Sequence, residues 1–185
     1  MMRSVVINQA DVFERIILKL NMNVMQKREV CPMWGELHES KEIHLKLPAL
    51  MNAGVANRVF RELGATLHYD VYSFEAAQHE EWQSETLLGI DLLHDGNSVA
   101  AQEDFNEIRA HYLFASRPSS DQSKVLQLVS DIGNSFNASV FYMSEPFTIE
   151  SVQKDWDKCN DYLLKEWGEE PGSESLARMI HENYS

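Results

Sequence analysis

Cysteine is scarce in this chain: Cys31 and Cys159 are the only two in 185 residues, and they stand far apart in unrelated contexts. No CxxC site and no disulfide framework can be drawn from them, so the expectation is two buried or half-buried thiols in a reducing, cytoplasmic setting. Long apolar runs are missing as well, and no window approaches the length needed to cross a bilayer. The opening residues carry one positive charge, Arg3, but no long apolar run and no small-residue cleavage site, so no signal peptide is expected. Basic residues are few. Sixteen Lys and Arg stand against 29 Asp and Glu, a net charge of −13, and a chain without a basic face is a poor direct partner for nucleic acid. The familiar catalytic signatures are absent too: no G-x-S-x-G elbow, no H-E-x-x-H, no Walker loop and no dinucleotide glycine fingerprint. Residues 168–173 are glycine-flanked, but Glu169 and Glu170 would repel phosphate and no Lys follows.

What the chain does have is an ordinary globular composition, 44% apolar and 24% charged, which rules out disorder as the default. Its length suits a single domain, residues 1–185, with enough chain to bury a sizeable core. Residues 10–24 read as an amphipathic helix, with Phe13, Ile16, Ile17, Leu20 and Val24 at helical spacing. Residues 33–38 and 42–47 alternate as strands around a polar turn, and Pro48 should stop the second strand. A helix from about Asn52 follows, ended by Gly64; one strand then carries Leu67, Tyr69, Val71, Tyr72 and Phe74.

The second half repeats that order. Residues 88–96 read as a strand entering a turn, and residues 111–115 as another strand closed by Pro118. A helix with Val125, Leu128, Val129 and Ile132 ends at Gly133, and residues 139–143 form the strand after it. One constant offset sets Leu63-Gly64 opposite Ile132-Gly133 and Asp70-Val71-Tyr72 opposite Ser139-Val140-Phe141. The expected fold is therefore α+β. Two pseudo-repeated strand-strand-helix-strand units, residues 31–75 and 86–145, form an antiparallel or mixed sheet, with added N- and C-terminal helices. Residues 96–108 are an irregular insert, with room for a short helix over 99–106. The C-terminal extension, residues 148–185, is helical: Thr148 caps a helix that Gly168 ends, and Ser173 caps a second.

Acidity gathers in the connector, residues 75–85, and in the Glu169-Glu170-Pro171-Gly172 turn, outside the repeated strands. Trp34 and Trp82 fall at strand-loop margins. With Glu80, Glu81, Asp91 and Asp95 they form the candidate binding set, an aromatic face rimmed by carboxylates. Its partner would be a basic protein, drawn in by complementary charge; exposed aromatic surface would equally suit a homodimer. No cofactor is expected. The alternative is a metal or acid/base enzyme with His38, Glu39, His94 and Asp95 meeting between the units, since two His and two carboxylates would suit zinc or manganese.

Trp34-Gly35 and Gly89-Ile90-Asp91-Leu92-Leu93, together with small size, acidity and aromatic patches, resemble the immunity proteins that bacteria pair with secreted polymorphic toxins. That resemblance implies a non-enzymatic protein that plugs a toxin's active site, with acidity suited to a basic nuclease toxin. It assigns no individual residue a role.

Overall fold

The computed structural model describes residues 41–69 and 71–184. The expected helix over 10–24, the strand over 33–38, and Cys31, Trp34, His38 and Glu39 lie outside the described residues.

Alternation builds the central strands. In β1 (Lys41–Met51) Ile43 and Leu45 are fully buried, while Glu42, His44 and Lys46 take the other face. Pro48 does not stop β1 outright, but the regular ladder to its partner strand, Phe105–Tyr112, ends at Lys46 and resumes, shifted, only at Met51. Asn52 then caps α1 (Ala53–Glu62) by accepting a hydrogen bond from the Gly54 N–H at 2.9 Å. Gly64 follows α1 at φ 94°, the left-handed geometry that closes a helix.

The single strand expected after Gly64 is a hairpin instead, β2 (Thr66–His68) and β3 (Val71–Glu75), with Tyr69 at φ 57° in its turn. Next come β4 (Thr86–His94), the two-residue β5 (Asn97–Ser98) and β6 (Phe105–Tyr112). Asp95 and Gly96, both at positive φ, make the tight β4–β5 turn that an Asp-Gly pair favours. No helix forms over residues 99–106: Phe105 onward belongs to β6, where Phe105, Ile108, Ala110 and Tyr112 are buried.

α2 (Gln122–Phe136) runs a turn past Gly133 and ends at Asn137, which takes the left-handed cap at φ 50°. Gly133 is thus an interior residue. A Cβ there would lie 2.7 Å from Val140 Cγ2, so the glycine lets the helix lie close on the sheet. Gly64 and Gly133, matched in sequence, have different jobs. β7 (Ser139–Tyr142) and β8 (Glu145–Pro146) complete the sheet, turning through Met143 and Ser144, both at positive φ. Thr148 caps α3 (Ile149–Tyr162), a π-turn over Leu163–Trp167 ends at Gly168, and Ser173 precedes α4 (Glu174–Tyr184).

The described residues thus form an α+β fold with one antiparallel sheet in the order β2-β3-β4-β6-β1-β7-β8, β5 lying on β4. Because β1 pairs antiparallel with both β6 and β7, β6–α2–β7 is a crossover with β1 inserted between its parallel strands. Helices cover one face. Phe60 of α1 and Phe136 of α2 sit 5.3 Å apart, over Tyr72 and Phe105. Trp156 of α3, fully buried, stacks on Tyr112 at 5.0 Å and donates to the Tyr142 hydroxyl. Burial and the neighbouring Asp155, which accepts from that hydroxyl, raise the Tyr142 pKa well above its ordinary value. No helix among the described residues is long and apolar enough to cross a membrane.

Candidate functional site

The connector between β3 and β4 has no regular structure of its own, yet its backbone is held at several points. Ala76 N–H donates to the Glu85 carbonyl at 2.8 Å and closes its neck; Gln83 N–H donates to the Glu80 carbonyl at 2.9 Å and forms its tip. Arg117, only 1% exposed, reaches up from the turn before α2. Its guanidinium donates to the carbonyls of Ser84 (2.8 Å) and Gln78 (3.0 Å), and through Nε and Nη2 to the Asp121 carboxylate. A rigid planar fork suits this task, since one cation satisfies two carbonyls and a buried carboxylate together.

From the other side the connector is joined to the C-terminal turn. Trp82 Nε1 (3.2 Å) and Gln83 Nε2 (2.7 Å) both donate to the Gly172 carbonyl, and Gly172 N–H donates to the Ala115 carbonyl at 2.9 Å. The two acidic segments of the sequence, far apart in the chain, therefore meet in space. Glu80, Glu81, Glu85 and Glu170 are exposed, while the atoms fastening the backbone beneath them are buried or half-buried. Glu169 is turned to the Ser173 and Ser175 hydroxyls. Chemically this is a fixed carboxylate surface with the half-buried Trp82 ring at its base, suited to cations presented by a macromolecule.

A second polar cluster occupies the sheet face opposite the helices. Asp91 Oδ2 accepts from Arg109 Nη2 (2.8 Å) and His111 Nε2 (2.7 Å). His111 Nδ1 lies 3.6 Å from Glu42, and His44 Nδ1 lies 2.6 Å from Glu107. Cross-strand register explains it, because Asp91 faces Arg109 across β4–β6, and Glu42 and His44 face His111 and Arg109 across β1–β6. Burial pushes the Asp91 carboxyl up, but the hydrogen bonds and charges of His111 and Arg109 outweigh it and hold the group below its ordinary value.

That lowered value has a stability consequence. Below the ordinary carboxylate range, the unfolded chain takes up this proton more readily than the folded one. The contribution is fully present above the unfolded value and drains away as pH falls through the lowered folded value. Asp91→Asn should cost about 1–2 kcal/mol at neutral pH, discounted for partial exposure, and much less once pH falls below the lowered folded value. Urea unfolding of both proteins across that range checks it; a pH-independent gap would show that the carboxylate's charge is not what counts.

The structure places the sequence candidates in three places rather than one. Glu80, Glu81 and Trp82 share the connector. Asp91 belongs to the sheet-face cluster. His94 and Asp95 sit in the β4–β5 hairpin, 3.8 Å apart, with Asp95 Oδ1 accepting from Asn106 Nδ2 at 2.8 Å. β4 enters from the connector, and its nine residues at about 3.3 Å each put that hairpin roughly 25–30 Å away. His94 and Asp95 are therefore turn residues, remote from the acidic surface. Among the described residues no group of three or more His, Cys, Asp or Glu is arranged to hold a metal. Sequence reasoning missed Arg117, Gln83 and Gly172, which organise the connector; the one available signal was the i, i+4 spacing of Arg117 and Asp121. The sequence matches no protein-family model and no curated protein.

Proposed function

We propose that this chain is a non-enzymatic acidic binding protein whose connector, joined to the C-terminal turn, receives a basic protein partner in the cytoplasm. The observation that carries the reading is the fastening of the connector by Arg117, Trp82 and Gln83 beneath four exposed carboxylates. A loop already held in one shape loses less entropy on binding, and a one-signed surface steers its partner and rejects like charge. Toxin neutralisation is the role that best uses such a surface, the acidic face blocking a basic effector. The chain is also read as two related units, residues 31–75 and 86–145, and the strand, helix and hairpin found in order in each half (β1–α1–β2–β3 and β6–α2–β7–β8) support that reading without reproducing the expected strand-strand-helix-strand order.

Basic proteins encoded by neighbouring genes are the panel to test, by calorimetry at low and high salt. The expected result is one tight complex, weakened by salt and weakened at least about tenfold by the double variant Glu80→Lys/Glu81→Lys. If every complex found is indifferent to that double variant, the connector is not the binding surface.

A further inference from the structure

Beside the connector, where β3 leads into it and β4 leaves it, an open groove of about 600 Å³ runs between the sheet and α2. Its floor is apolar: Phe74 is buried, and Leu63, Leu87 and Leu128 are half-buried against the core. Its rim carries the carboxylates of Glu75 and Asp131. The cation among its lining residues, Lys124, is drawn to Asp121 at 3.1 Å. That volume matches small-ligand pockets, but such sites enclose most of the ligand's surface, and this groove is largely open to solvent. An apolar floor with an acidic rim instead fits a polypeptide segment that sets down aliphatic side chains and flanks them with Lys or Arg.

Resting on the binding role proposed above, we infer that this groove is the anchor site for an amphipathic basic segment of the protein partner. Glu75 and Leu87 bracket the connector in sequence, and Lys124 of the groove pairs with Asp121, which binds the Arg117 that holds the connector, so the groove adjoins the acidic surface. The carboxylates of the connector gather the partner and orient it; the groove supplies the apolar burial that makes a complex last. Charge alone mainly quickens encounter, whereas a buried aliphatic anchor slows dissociation. The inference therefore explains how a face built mainly of exposed carboxylates would hold on to a partner.

The test uses the full chain with methyl-labelled leucines and a synthetic peptide of leucine and lysine at helical spacing. Two control peptides replace leucine by alanine, or lysine by glutamate. Expected are methyl shift changes concentrated on Leu63, Leu87 and Leu128, with both controls binding at least about tenfold more weakly. Asp131→Lys, a partly exposed change that leaves the core intact, should weaken the leucine–lysine peptide about tenfold. If Glu80→Lys/Glu81→Lys weakens that peptide but Asp131→Lys and the alanine control do not, the groove assignment is overturned while the acidic-surface role stands. If the peptide binds without moving the three leucines and without sensitivity to either charge reversal, both are overturned.

Discussion

Arg117→Ala is expected to destabilise the fold by about 3–5 kcal/mol, because it strips the guanidinium from the buried Asp121 carboxylate and leaves Oδ2 unpaired, with only the exposed Lys124 ammonium on Oδ1. The Arg117 and Asp121 side chains are 2% and 8% exposed, so water cannot replace the lost guanidinium without opening the structure. The two connector carbonyls, of Ser84 and Gln78, lose their donors in the same step. Urea unfolding should show a lower midpoint with little change in slope. The double variant Arg117→Met/Asp121→Leu separates the two roles of the pair. An apolar replacement of similar volume restores much of the stability, yet it cannot hold the connector, so binding of a basic partner should remain weak. A double variant that recovered both would mean that the guanidinium serves the core alone.

Gly172→Ala is the second large effect expected. At φ 75° a side chain costs about 1–2 kcal/mol from backbone crowding alone. The added Cβ would also lie 2.6 Å from Pro118 N and 2.8 Å from the Arg117 carbonyl carbon, backbone atoms that cannot step aside cheaply. Overpacking of this sort adds about 1–3 kcal/mol. Relief requires the C-terminal turn to lift away, which withdraws the Gly172 carbonyl from Trp82 and Gln83. Gly168→Ala is the matched control: its φ is 70°, but nothing lies within 4 Å of the new Cβ. Gly168→Ala should therefore show the backbone cost only, and amide exchange at residues 81–84 should quicken in Gly172→Ala alone. Equal behaviour of the two variants would remove the close approach from the explanation.

How much of this was legible beforehand follows from which signals are local. The alternation of Ile43 and Leu45 against His44 marks β1, Asn52 and Gly64 bracket α1, Thr148 opens α3, and the Asp95-Gly96 pair announces its turn; each needs only neighbouring residues. The β7–β8 turn escaped because Met143-Ser144 lacks the glycine or asparagine that usually takes positive φ there. The hairpin at Tyr69 escaped for the same reason. Gly133 misled because a glycine near a helix end reads as a stop, while its real constraint is Val140, a residue of β7. The acidic segments 75–85 and 169–172 were visible as composition. That they meet was not, since the Gly172 carbonyl accepts from Trp82 and Gln83 and Arg117 donates to the Ser84 and Gln78 carbonyls, and backbone groups carry no sequence code. His94 and Asp95, which the metal alternative grouped with His38 and Glu39, stand at the Asp-Gly hairpin, while His38 and Glu39 lie outside the described residues.

The central claim is that the joined connector and C-terminal turn form the face that receives basic chains. Amide shift mapping of the labelled protein during titration with polylysine at low salt tests it most directly. The account predicts the largest changes at residues 78–83 and 168–172, vanishing at high salt and suppressed in Glu80→Lys/Glu81→Lys. Changes spread evenly over the surface, or centred on the Asp91–Arg109–His111 cluster of the opposite sheet face, would contradict it.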